Sequence, residues 1–376
     1  MRRSVGKKIV RAATIGLSLN AFCRGLLREL TEEGYEVVAL SSSDADLQQV
    51  GEREGVRTIG VPMERRISPL KDLVSLVRLI RVLRKEKPDM VHSMTPKAGL
   101  LCMMAAKMAG VPVRVHTFTG LVWPTSTGLI RQILILTDKL TCACATHVIP
   151  EGEGVKQDLQ RCITRKPLRV LGYGNVKGID LQYWKRTAPA EPHETVTFIF
   201  VGRLVREKGI NELVAAFVRL NEQYPQTRLL LVGPYEEKID PLMPETMRLI
   251  DECEAIEAVG SQTDVRPFYE RSDVLVFPSY REGFPNVVIE AGAMDLPSIV
   301  TDINGSREII VNQENGLIVP SQDETALYEA MEWMIAHPDE CQRMAQKARK
   351  MVADRFEQGF VRQCLKDYYK TLLSEK

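Results

Sequence analysis

Short apolar segments alternate with amphipathic segments of helical length along almost the whole chain, and this alternation constrains the fold most strongly. Two of the predicted helices are Phe22–Glu33 and Leu70–Lys85. Strands that alternate with helices of about 10–15 residues indicate βαβ units, and therefore parallel sheets of the α/β class. The predicted strands are Lys8–Thr14, Glu36–Leu40, Met90–Ser93, Val113–Thr117, His147–Pro150, Leu168–Leu171, Val196–Val201, Arg228–Val232, Ile256–Val259, Val274–Val276, Ser298–Val300 and Gly316–Ile318.

The strands form two series, which the 376 residues can accommodate as two domains of ordinary size. Between the series, residues 172–186 combine turn-forming residues without periodicity, and the polar segment 187–195 leads into the second series. We therefore predict two doubly wound lobes. The first comprises residues 1–178 and is completed by a C-terminal helix at 358–376, and the second comprises residues 179–357.

The net charge of +1 conceals an uneven distribution of charge. Residues 1–190 hold 30 Lys and Arg against 17 Asp and Glu, a net of +13, whereas residues 191–376 hold 20 against 32, a net of −12. This asymmetry indicates that one lobe contacts an anionic partner, either nucleic acid or a membrane surface. With 44% hydrophobic and 26% charged residues, the chain is not of the disordered, collagen-like or disulfide-scaffold class.

The cysteines and the N-terminal segment predict a cytoplasmic protein. The eight cysteines have no C-x-x-C spacing and lie mostly among apolar residues, which is typical of buried, reduced thiols. The first residues are basic and then apolar, as in a signal peptide, but Arg11 interrupts the apolar stretch and no small-residue cleavage site follows. We therefore predict a first β-strand there. No uncharged apolar stretch reaches about 18 residues, so no transmembrane helix is expected.

Glycines follow three predicted strands of the second series, at Gly202, Gly233 and Gly260. Ligands of open α/β sheets bind at the carboxyl ends of the strands, and glycine lets a ligand approach the backbone closely. The three glycines predict a ligand groove at this edge, although each alone could belong to an ordinary turn.

Nearby, Arg203 and Lys208 lie five positions apart in a loop that opens a helix. Two cations with helix amides suit a diphosphate, and the alternative is a solvated charged loop.

The segment 282–294, EGFPNVVIEAGAM, carries two carboxylates eight positions apart. After Pro285 the residues are almost all apolar, so we predict a helix that is buried on most sides and carries Glu290 in its apolar run. A buried carboxylate is costly unless it is paired or hydrogen-bonded, and a sugar diol could satisfy it. Glu282 stands in the loop before the helix, beside amides that suit phosphate or a sugar hydroxyl. The alternative is a structural salt bridge from Glu290 to an arginine.

These motifs together resemble the retaining family 4 glycosyltransferases. The motifs that show the resemblance are VGRLVREKG, EGFPNVVIEA with its spaced glutamates, and NGSREII. The resemblance extends over essentially the whole chain. It implies the GT-B architecture, in which two Rossmann-like lobes face each other across a cleft. Members of this family that resemble the chain often build surface polysaccharides, such as capsule, on polyprenyl-diphosphate carriers.

The resemblance also implies residue roles. Arg203 and Lys208 would bind the donor diphosphate and stabilise it as the leaving group. Glu290 would bind the ribose hydroxyls, and Glu282 would lie near the transferred sugar. On the first lobe, His116 resembles the histidine that approaches the donor sugar, with His92 as a competitor at another strand end. The other donor contacts implied are Gly16, Gly202, Gly233, Gly260, Ser261, Gly283, Phe284, Pro285 and Asn286.

The resemblance implies transfer with retention of the anomeric configuration and without a metal. Electrostatic stabilisation by fixed cations would be the main catalytic contribution, and the leaving diphosphate would help to deprotonate the acceptor. The chain departs from the family at Ile15-Gly16-Leu17, where many relatives carry two adjacent glycines. The pair Asp44 and Asp46 lies far in sequence from the phosphate loop and is expected to be a surface pair.

The most basic segment of the first lobe, residues 65–87, holds eight cations against two acids. Leu73, Leu76, Val77, Ile80 and Leu83 have helical spacing and are expected to face the sheet. The basic side, with Arg78, Arg81, Arg84 and Lys85, is expected to face anionic lipid. The apolar stretch 129–136 would lie on the acceptor side. We therefore expect a UDP-sugar donor, a polyprenyl-diphosphate-linked saccharide acceptor and peripheral association with the inner membrane face.

Three other functions remain open from the sequence. A nucleotide-sugar epimerase of similar two-lobed shape would turn over without an acceptor. A nucleic-acid-binding protein would fit the basic half, but there is no recognisable binding motif and only 6% of residues are aromatic, so no nucleic acid partner is expected. An inactive, donor-binding partner subunit is the third. A glycosyltransferase could also use a soluble acceptor or another lipid acceptor.

Overall fold

The computed structural model describes residues 6–64, 68–187, 195–236 and 240–374. Within these residues the chain forms two compact units. The first comprises the chain up to Gly178 together with the chain from Gly359 onward, and the second is Ile179–Gln358. Each unit contains a six-stranded sheet whose strand pairs are all parallel, with helices between successive strands. The predicted α/β class is confirmed.

The sheet of the first unit has the strand order β3-β2-β1-β4-β5-β6. Chain order therefore reverses between β1 and β4, where crevices for ligands form at the carboxyl ends of strands. The strands are β1 (Lys8–Ala12), β2 (Glu36–Ser41), β3 (Arg57–Gly60), β4 (Met90–Met94), β5 (Val113–Phe118) and β6 (His147–Pro150). The helices are α1 (Gly16–Phe22), α2 (Leu26–Glu32), α3 (Ala45–Glu54), α4 (Pro69–Glu86), α5 (Pro96–Met108), α6 (Gly128–Cys144) and α7 (Glu153–Cys162), with a 3-10 turn at Trp123–Thr125.

The second unit has the order β12-β11-β10-β7-β8-β9, and chain order reverses between β7 and β10. All six predicted strands are present. They are β7 (Val196–Val201), β8 (Thr227–Val232), β9 (Ile256–Gly260), β10 (Val274–Phe277), β11 (Ser298–Thr301) and β12 (Gly316–Val319). The helices are α8 (Ile210–Gln223), α9 (Pro244–Glu252), α10 (Arg266–Glu270), α11 (Asn286–Ala293), α12 (Ser306–Ile309), α13 (Glu324–Ala336) and α14 (Pro338–Phe356), with a 3-10 turn at Arg206–Lys208. The next helix, α15 (Gln358–Ser374), belongs to the first unit from Gly359 onward.

Two predictions of secondary structure in the first unit are wrong. The segment 168–171 forms only an isolated bridge between Leu168 and Val148, and the sixth strand is instead the short edge strand β3. The predicted helix Phe22–Glu33 is interrupted between α1 and α2, because Gly25 adopts the left-handed conformation at φ 77°. A residue in that conformation ends one helical run and lets the chain change direction.

The C-terminal helix α15 packs on the sheet of the first unit. Tyr369 is fully buried in the same apolar cluster as Ile9 of β1. Its hydroxyl accepts a hydrogen bond of 2.8 Å from the guanidinium of Arg11, which is itself 2% exposed. The helix therefore supplies one hydrogen-bond acceptor to a buried guanidinium, which also contacts His92 and Cys23.

Candidate functional site

The glycine at the end of β8 is required by the close approach of the backbone at the end of β7. Gly202 and Gly233 have φ 151° and 148°, and a Cβ on Gly233 would lie 1.8 Å from the carbonyl oxygen of Gly202. The amide of Gly202 donates to Val232 O and that of Gly233 donates to Gly260 O, each at 2.9 Å. Gly260, at the end of β9, has open space where a side chain would stand. Of the three predicted groove glycines, Gly260 alone leaves a ligand room beside its Cα.

Arg203 lies directly after β7 and contacts two carboxylates. Its guanidinium is 2.7 Å from Glu236 and 3.1 Å from Glu207. Burial lowers the pKa of Arg203, but Glu236 and then Glu207 more than offset this and leave its pKa above the ordinary value. With its side chain 43% exposed, Arg203 is a permanent cation that a ligand can reach.

Glu207 stands among three cations. It bonds Arg281 at 2.7 Å as well as Arg203, and Lys208 adds to the positive field around it. Burial raises the pKa of Glu207, yet the charges of Arg281, Lys208 and Arg203 outweigh burial and lower it overall. The carboxylate therefore occupies a place where the protein concentrates positive charge, and a more highly charged anion would be favoured at the same cations.

Lys208 and Glu282 form an ion pair that joins the two motifs predicted from the sequence. Both side chains are largely buried, and the hydroxyl of the buried Ser279 donates to Glu282 at 2.9 Å. The ammonium of Lys208 also lies 5.6 Å from the centre of the Phe277 ring, a cation–π contact. The fold thus brings Arg203, Lys208 and Glu282 to the carboxyl edge of one sheet.

The loop before α11 is held by close backbone packing. A Cβ on Gly305 would lie 2.5 Å from the carbonyl oxygen of Gly283, and the side chain of Phe284 is buried against Phe356. Phe284 can therefore meet a ligand only through its backbone. Beyond Pro285, Asn286 begins α11, whose first N–H groups have no acceptor within the helix. Such amides suit a phosphate or a sugar hydroxyl.

Glu290 is half-buried, so the expectation of a buried carboxylate is wrong. In α11 the neighbours Ile289 and Ala291 face the core while Glu290 turns to the edge of the helix. Burial, followed by the charge of Glu290, raises the pKa of Tyr269 well above its ordinary value. The position of Glu290 at the edge of the helix still permits contact with a ligand. The ribose role of Glu290 and the base contact of Ser261, which is exposed beside Gly260, stay predictions.

His116 lies in the first unit and lines a pocket at the carboxyl end of β5. Burial lowers its pKa to about 3, so the imidazole is neutral, and its Nδ1 is 2.9 Å from the hydroxyl of Ser93. A Cβ on Gly99 of α5 would lie 2.3 Å from the imidazole, so this glycine makes room for the ring. His116 can accept or donate one hydrogen bond in the pocket but carries no charge there.

His92 is held in a network that leaves it no part in the pocket. One ring nitrogen contacts both Arg11 and the hydroxyl of Tyr369, and the other is 2.7 Å from the hydroxyl of Thr117. Burial, then the charge of Arg11 and that of His116, lower the pKa of His92 well below the ordinary value. Of the two competing histidines, the structure places only His116 in the lining of the pocket.

Gly16 begins α1, and its amide is already engaged. It donates to the carboxylate of Asp44 at 2.9 Å, and a Cβ on Gly16 would lie 2.3 Å from the amide nitrogen of Leu47. Asp44 also caps α3 through the amide of Leu47. The packing of α1 on α3 thus explains both the glycine and the aspartate, which is a structural cap rather than a surface charge. A donor contact from Gly16 stays a prediction.

The basic helix α4 exposes its four predicted cations, Arg78, Arg81, Arg84 and Lys85. The predicted apolar stripe is partly wrong: Leu83 is buried as predicted, but the other buried residues of α4 are Ser75 and Leu79. Leu73 and Val77 are exposed, and so are Leu129, Ile130 and Leu136 on α6. Residues 65–67 lie outside the described ranges. None of the helices in the described ranges is both long and apolar enough to cross a bilayer.

Several residues of this site were missed in the sequence. Glu236 and Arg281 are 33 and 78 positions from Arg203, and only the fold brings these charges to one sheet edge. Asp138 was missed as well, although a single carboxylate within the apolar run of α6 was a usable signal. Within the described ranges, no three His, Cys, Asp or Glu residues are arranged to hold a metal, and independence from metal stays a prediction.

Comparison with known proteins extends over both units. Residues 185–351 match the family described as glycosyl transferases group 1, and residues 19–174 match the glycosyl transferase 4-like domain. The chain is 31% identical to a capsular polysaccharide biosynthesis glycosyltransferase, CapM, of Staphylococcus aureus over 98% of both chains. It is 28% identical, over 74% of both chains, to an Escherichia coli UDP-Gal:alpha-D-GlcNAc-diphosphoundecaprenol alpha-1,3-galactosyltransferase.

One solved structure shows the same fold over nearly the whole chain. Sucrose-phosphate synthase of Thermosynechococcus elongatus has a TM-score of 0.82 and covers 98% of this chain and 100% of its own. At 23% sequence identity, this likeness supports the GT-B fold and says nothing of the substrate.

Proposed function

Because the chain belongs to the group 1 glycosyl transferases, with a 4-like domain in its first half, we propose that it transfers a hexose or N-acetylhexosamine from a UDP-sugar to a polyprenyl-diphosphate-linked saccharide. The product would serve cell-surface polysaccharide synthesis. The observation that carries the donor half of this proposal is the charge network at the carboxyl edge of the second sheet. There Arg203, Lys208 and Arg281 surround Glu207.

In this proposal the donor diphosphate replaces carboxylates as the partner of the cations. Arg203 exchanges Glu236 and Glu207 for phosphate oxygens, and Lys208 exchanges Glu282. Once Lys208 binds phosphate, the carboxylate of Glu282 becomes free to accept a hydrogen bond from a hydroxyl of the transferred sugar. Charge-assisted hydrogen bonds favour the exchange, because a diphosphate presents more charge and more acceptors than one carboxylate. The amides at the start of α11 and the open space at Gly260 accommodate the rest of the nucleotide, with Glu290 at the ribose.

Catalysis would come from stabilising the leaving diphosphate. Charge develops on the bridging oxygen as the glycosidic bond breaks, and preorganised cations lower the energy of that state. Two such cations make a metal unnecessary. Transfer would retain the anomeric configuration, with the leaving phosphate taking the acceptor proton. His116, neutral in its pocket, would contact the transferred sugar as a hydrogen-bond partner rather than as a charge.

The acceptor half of the proposal rests on the first unit. Exposed leucine and isoleucine side chains on α6 and the exposed cations of α4 suit a lipid carrier at an anionic membrane surface. The acceptor named for the E. coli relative is likewise a sugar diphosphate on a polyprenyl chain. The protein would therefore work peripherally at the inner face of the cell membrane.

A transfer assay tests the proposal. The purified protein is incubated with each of a panel of UDP-sugars, without added metal and with a chelator, and with N-acetylglucosamine α-diphosphate on an alkyl chain. Formation of a disaccharide-diphosphate lipid with the anomeric configuration of the donor supports the proposal. An inverted product would refute retention. Conversion of a UDP-sugar in the absence of any acceptor would favour the epimerase instead.

A further inference from the structure

Arg281 is a third cation at the carboxyl edge of the second sheet, and no motif in the sequence accounts for it. It stands directly before Glu282 in the loop that leads to α11. Its Nη2 donates to Oε2 of Glu207 at 2.7 Å. The other oxygen of Glu207, Oε1, accepts from Nη2 of Arg203 at 3.1 Å. One carboxylate therefore bridges two guanidinium groups, with one oxygen on each.

The guanidinium of Arg281 retains a donor that Glu207 does not use. Its Nε is buried and makes no hydrogen bond with any residue in the part of the chain that the structure describes. Nε and Nη2 lie along the same edge of a guanidinium and form a fork that can bind both oxygens of one carboxylate. Arg281 thus holds Glu207 through one half of that fork. The vacant half is the one that the second oxygen of the same carboxylate would fill, and leaving a buried donor unbonded is costly.

The backbone of Glu207 is held on both sides. Its amide donates to the carboxylate of Asp240 at 2.7 Å, and its carbonyl oxygen accepts from the amide of Tyr280 at 2.9 Å. Gly209, two residues further on, has φ 73°, and a Cβ there would lie 2.2 Å from the carbonyl oxygen of Pro278. The loop is therefore packed against the segment that follows β10, whereas the side chain of Glu207 is 33% exposed. A change of partner by this carboxylate needs a rotation of the side chain and no movement of the loop.

Of the cations around Glu207, Arg281 is the strongest partner. Burial raises the pKa of Glu207, but the charge of Arg281 and its hydrogen bond each lower it more than the charge of Lys208 or Arg203 does, and the pKa ends below its ordinary value. The distances agree with this order, at 2.7 Å to Arg281 against 3.1 Å to Arg203. The side chain of Arg281 is also less exposed than that of Arg203, so water and salt screen its charge less.

A diphosphate that binds Arg203 must displace Oε1 of Glu207 from it. A carboxylate oxygen that loses its partner in a half-buried place is costly, and a carboxylate that stays beside the phosphates repels them. Both costs become smaller if the displaced oxygen finds another cationic donor. The unused Nε of Arg281 is such a donor, and it belongs to the guanidinium that already holds the other oxygen.

We propose that Arg281 is a positioning residue for the donor diphosphate: it takes both oxygens of Glu207 when the phosphates bind Arg203, and so frees Arg203 for them. The proposal rests on the proposed glycosyl transfer, in which the diphosphate displaces carboxylates from the cations, and it gives one of these carboxylates a new partner. The step exchanges hydrogen bonds and moves no proton. Arg281 acts through Glu207, so its effect on diphosphate binding depends on the presence of that carboxylate.

A double-mutant cycle tests this dependence. The affinity for UDP is measured by titration calorimetry for the unsubstituted protein, Arg281→Gln, Glu207→Gln and the double variant. In Arg281→Gln the carboxylate of Glu207 keeps Arg203 as its partner, so UDP should bind about tenfold more weakly, the effect of one charge-assisted hydrogen bond. Glu207→Gln has no competing charge and should bind UDP at least as tightly as the unsubstituted protein. The double variant should bind UDP like Glu207→Gln, because the carboxylate through which Arg281 acts is gone.

This rescue distinguishes positioning from other roles of Arg281. An arginine that touched the phosphates, or that acted through its charge alone, would cost the same factor with and without the carboxylate of Glu207. Equal losses of affinity in the two backgrounds, or no loss in Arg281→Gln, would overturn the inference. Thermal unfolding shows whether each variant is folded. If Arg281→Gln is not, Arg281→Lys replaces it, since lysine keeps the charge without the fork, and UDP should bind more weakly by a factor that Glu207→Gln again removes.

Arg271→Gln is the matched control. Arg271 precedes β10, is exposed and pairs with Glu257 at 3.6 Å, so its substitution should leave the affinity for UDP unchanged. Arg203→Ala separates the inference from the proposed function. If Arg203→Ala weakens UDP binding and Arg281→Gln does not, the inference is wrong and the proposed donor site stands. If Arg203→Ala leaves UDP binding unchanged, or the unsubstituted protein does not bind UDP, the inference and the proposed donor site are both wrong.

Discussion

The stability of Asp138→Asn, relative to that of the unsubstituted protein, should increase with pH. In the folded chain burial raises the pKa of this carboxyl to about 7, whereas its ordinary value is 3.8. Between these two values the folded chain binds more protons at this site than the unfolded chain. The stability contributed by Asp138 is therefore lost as the pH rises from about 4 to about 7, and it is constant above that. Asparagine does not titrate, so the variant escapes this loss.

The magnitude follows from the width of that window. Each pKa unit corresponds to about 1.4 kcal/mol, and about two units of the window lie between pH 5 and pH 7. The free energy of unfolding of Asp138→Asn, relative to the unsubstituted protein, should therefore increase by roughly 2–3 kcal/mol over this range. Only the change with pH is predicted, because the constant difference between a carboxyl and an amide cancels.

Urea unfolding at several pH values between about 5 and 8, followed by circular dichroism, measures this change. The m values of the two proteins should agree, so that midpoints can be compared. Asp367→Asn, whose carboxylate is exposed on α15, should show a difference that does not vary with pH. A difference for Asp138→Asn that is flat, or that grows towards acid pH, would refute the reasoning that burial without a cation dominates at this residue.

Three further outcomes follow from the described contacts. Glu236→Gln removes one partner of Arg203, and such exposed pairs contribute about 0.2–1 kcal/mol. The KM for the UDP-sugar should therefore fall by a factor of about 1.4 to 5 in initial-rate assays. A higher KM would contradict the exchange of carboxylate for phosphate. Gly233→Ala should destabilise the fold by at least about 2 kcal/mol in urea unfolding, because the added Cβ would meet the carbonyl oxygen of Gly202. Gly260→Ala has open space for its Cβ and should cost about 1–2 kcal/mol. Equal losses of stability would contradict the close approach of β7 and β8. Charge reversal of Arg78, Arg81 and Arg84 to Glu should weaken binding to anionic liposomes more than tenfold in a sedimentation assay, at about 1 kcal/mol per cation. The control variant Arg161→Glu, on α7, should change this binding little. Unchanged binding of the triple variant would exclude α4 from the membrane contact.

Periodicity predicted most of the sheets because their central strands are buried on both sides. Every strand of the second unit was predicted, since each is an apolar segment bounded by turns. The edge strand β3 was missed because Arg57–Gly60 has one apolar residue and is only partly buried. The apolar segment 168–171 was taken for a strand because apolar character alone does not supply a pairing partner. At an edge, pairing depends on neighbours that are distant in the sequence.

Helix faces were predicted less well than helix positions. The spacing of Leu73 and Val77 is helical, and α4 is indeed a helix, but both residues are exposed. The buried row is Ser75, Leu79 and Leu83, of which only Leu83 belongs to the predicted stripe. Several rows of a helix rich in leucine and valine satisfy the same period. Which row faces the sheet is decided by tertiary packing. Glu290 was misplaced for a related reason, since one polar residue in an apolar run can stand at the margin of the buried face.

The candidate site was predicted where its residues lie in short motifs and missed where they do not. Arg203, Lys208 and Glu282 were identified because each lies in a short motif at a strand end. Glu236 and Arg281 belong to no motif, and their proximity to those residues arises only when β7, β8 and β10 lie side by side in the sheet. Charge pairs between distant segments carry no periodic signal in the sequence.

Titration calorimetry of UDP tests most directly the claim that the second unit binds a nucleotide diphosphate through Arg203 and Lys208. If each cation contributes about 1.5 kcal/mol, the double variant Arg203→Ala, Lys208→Met should bind UDP about 100-fold more weakly than the unsubstituted protein. Arg78→Ala, which removes an exposed cation of the first unit, should bind UDP unchanged, and thermal unfolding should show that both variants are folded. Equal affinity of the double variant and the unsubstituted protein for UDP would contradict the account.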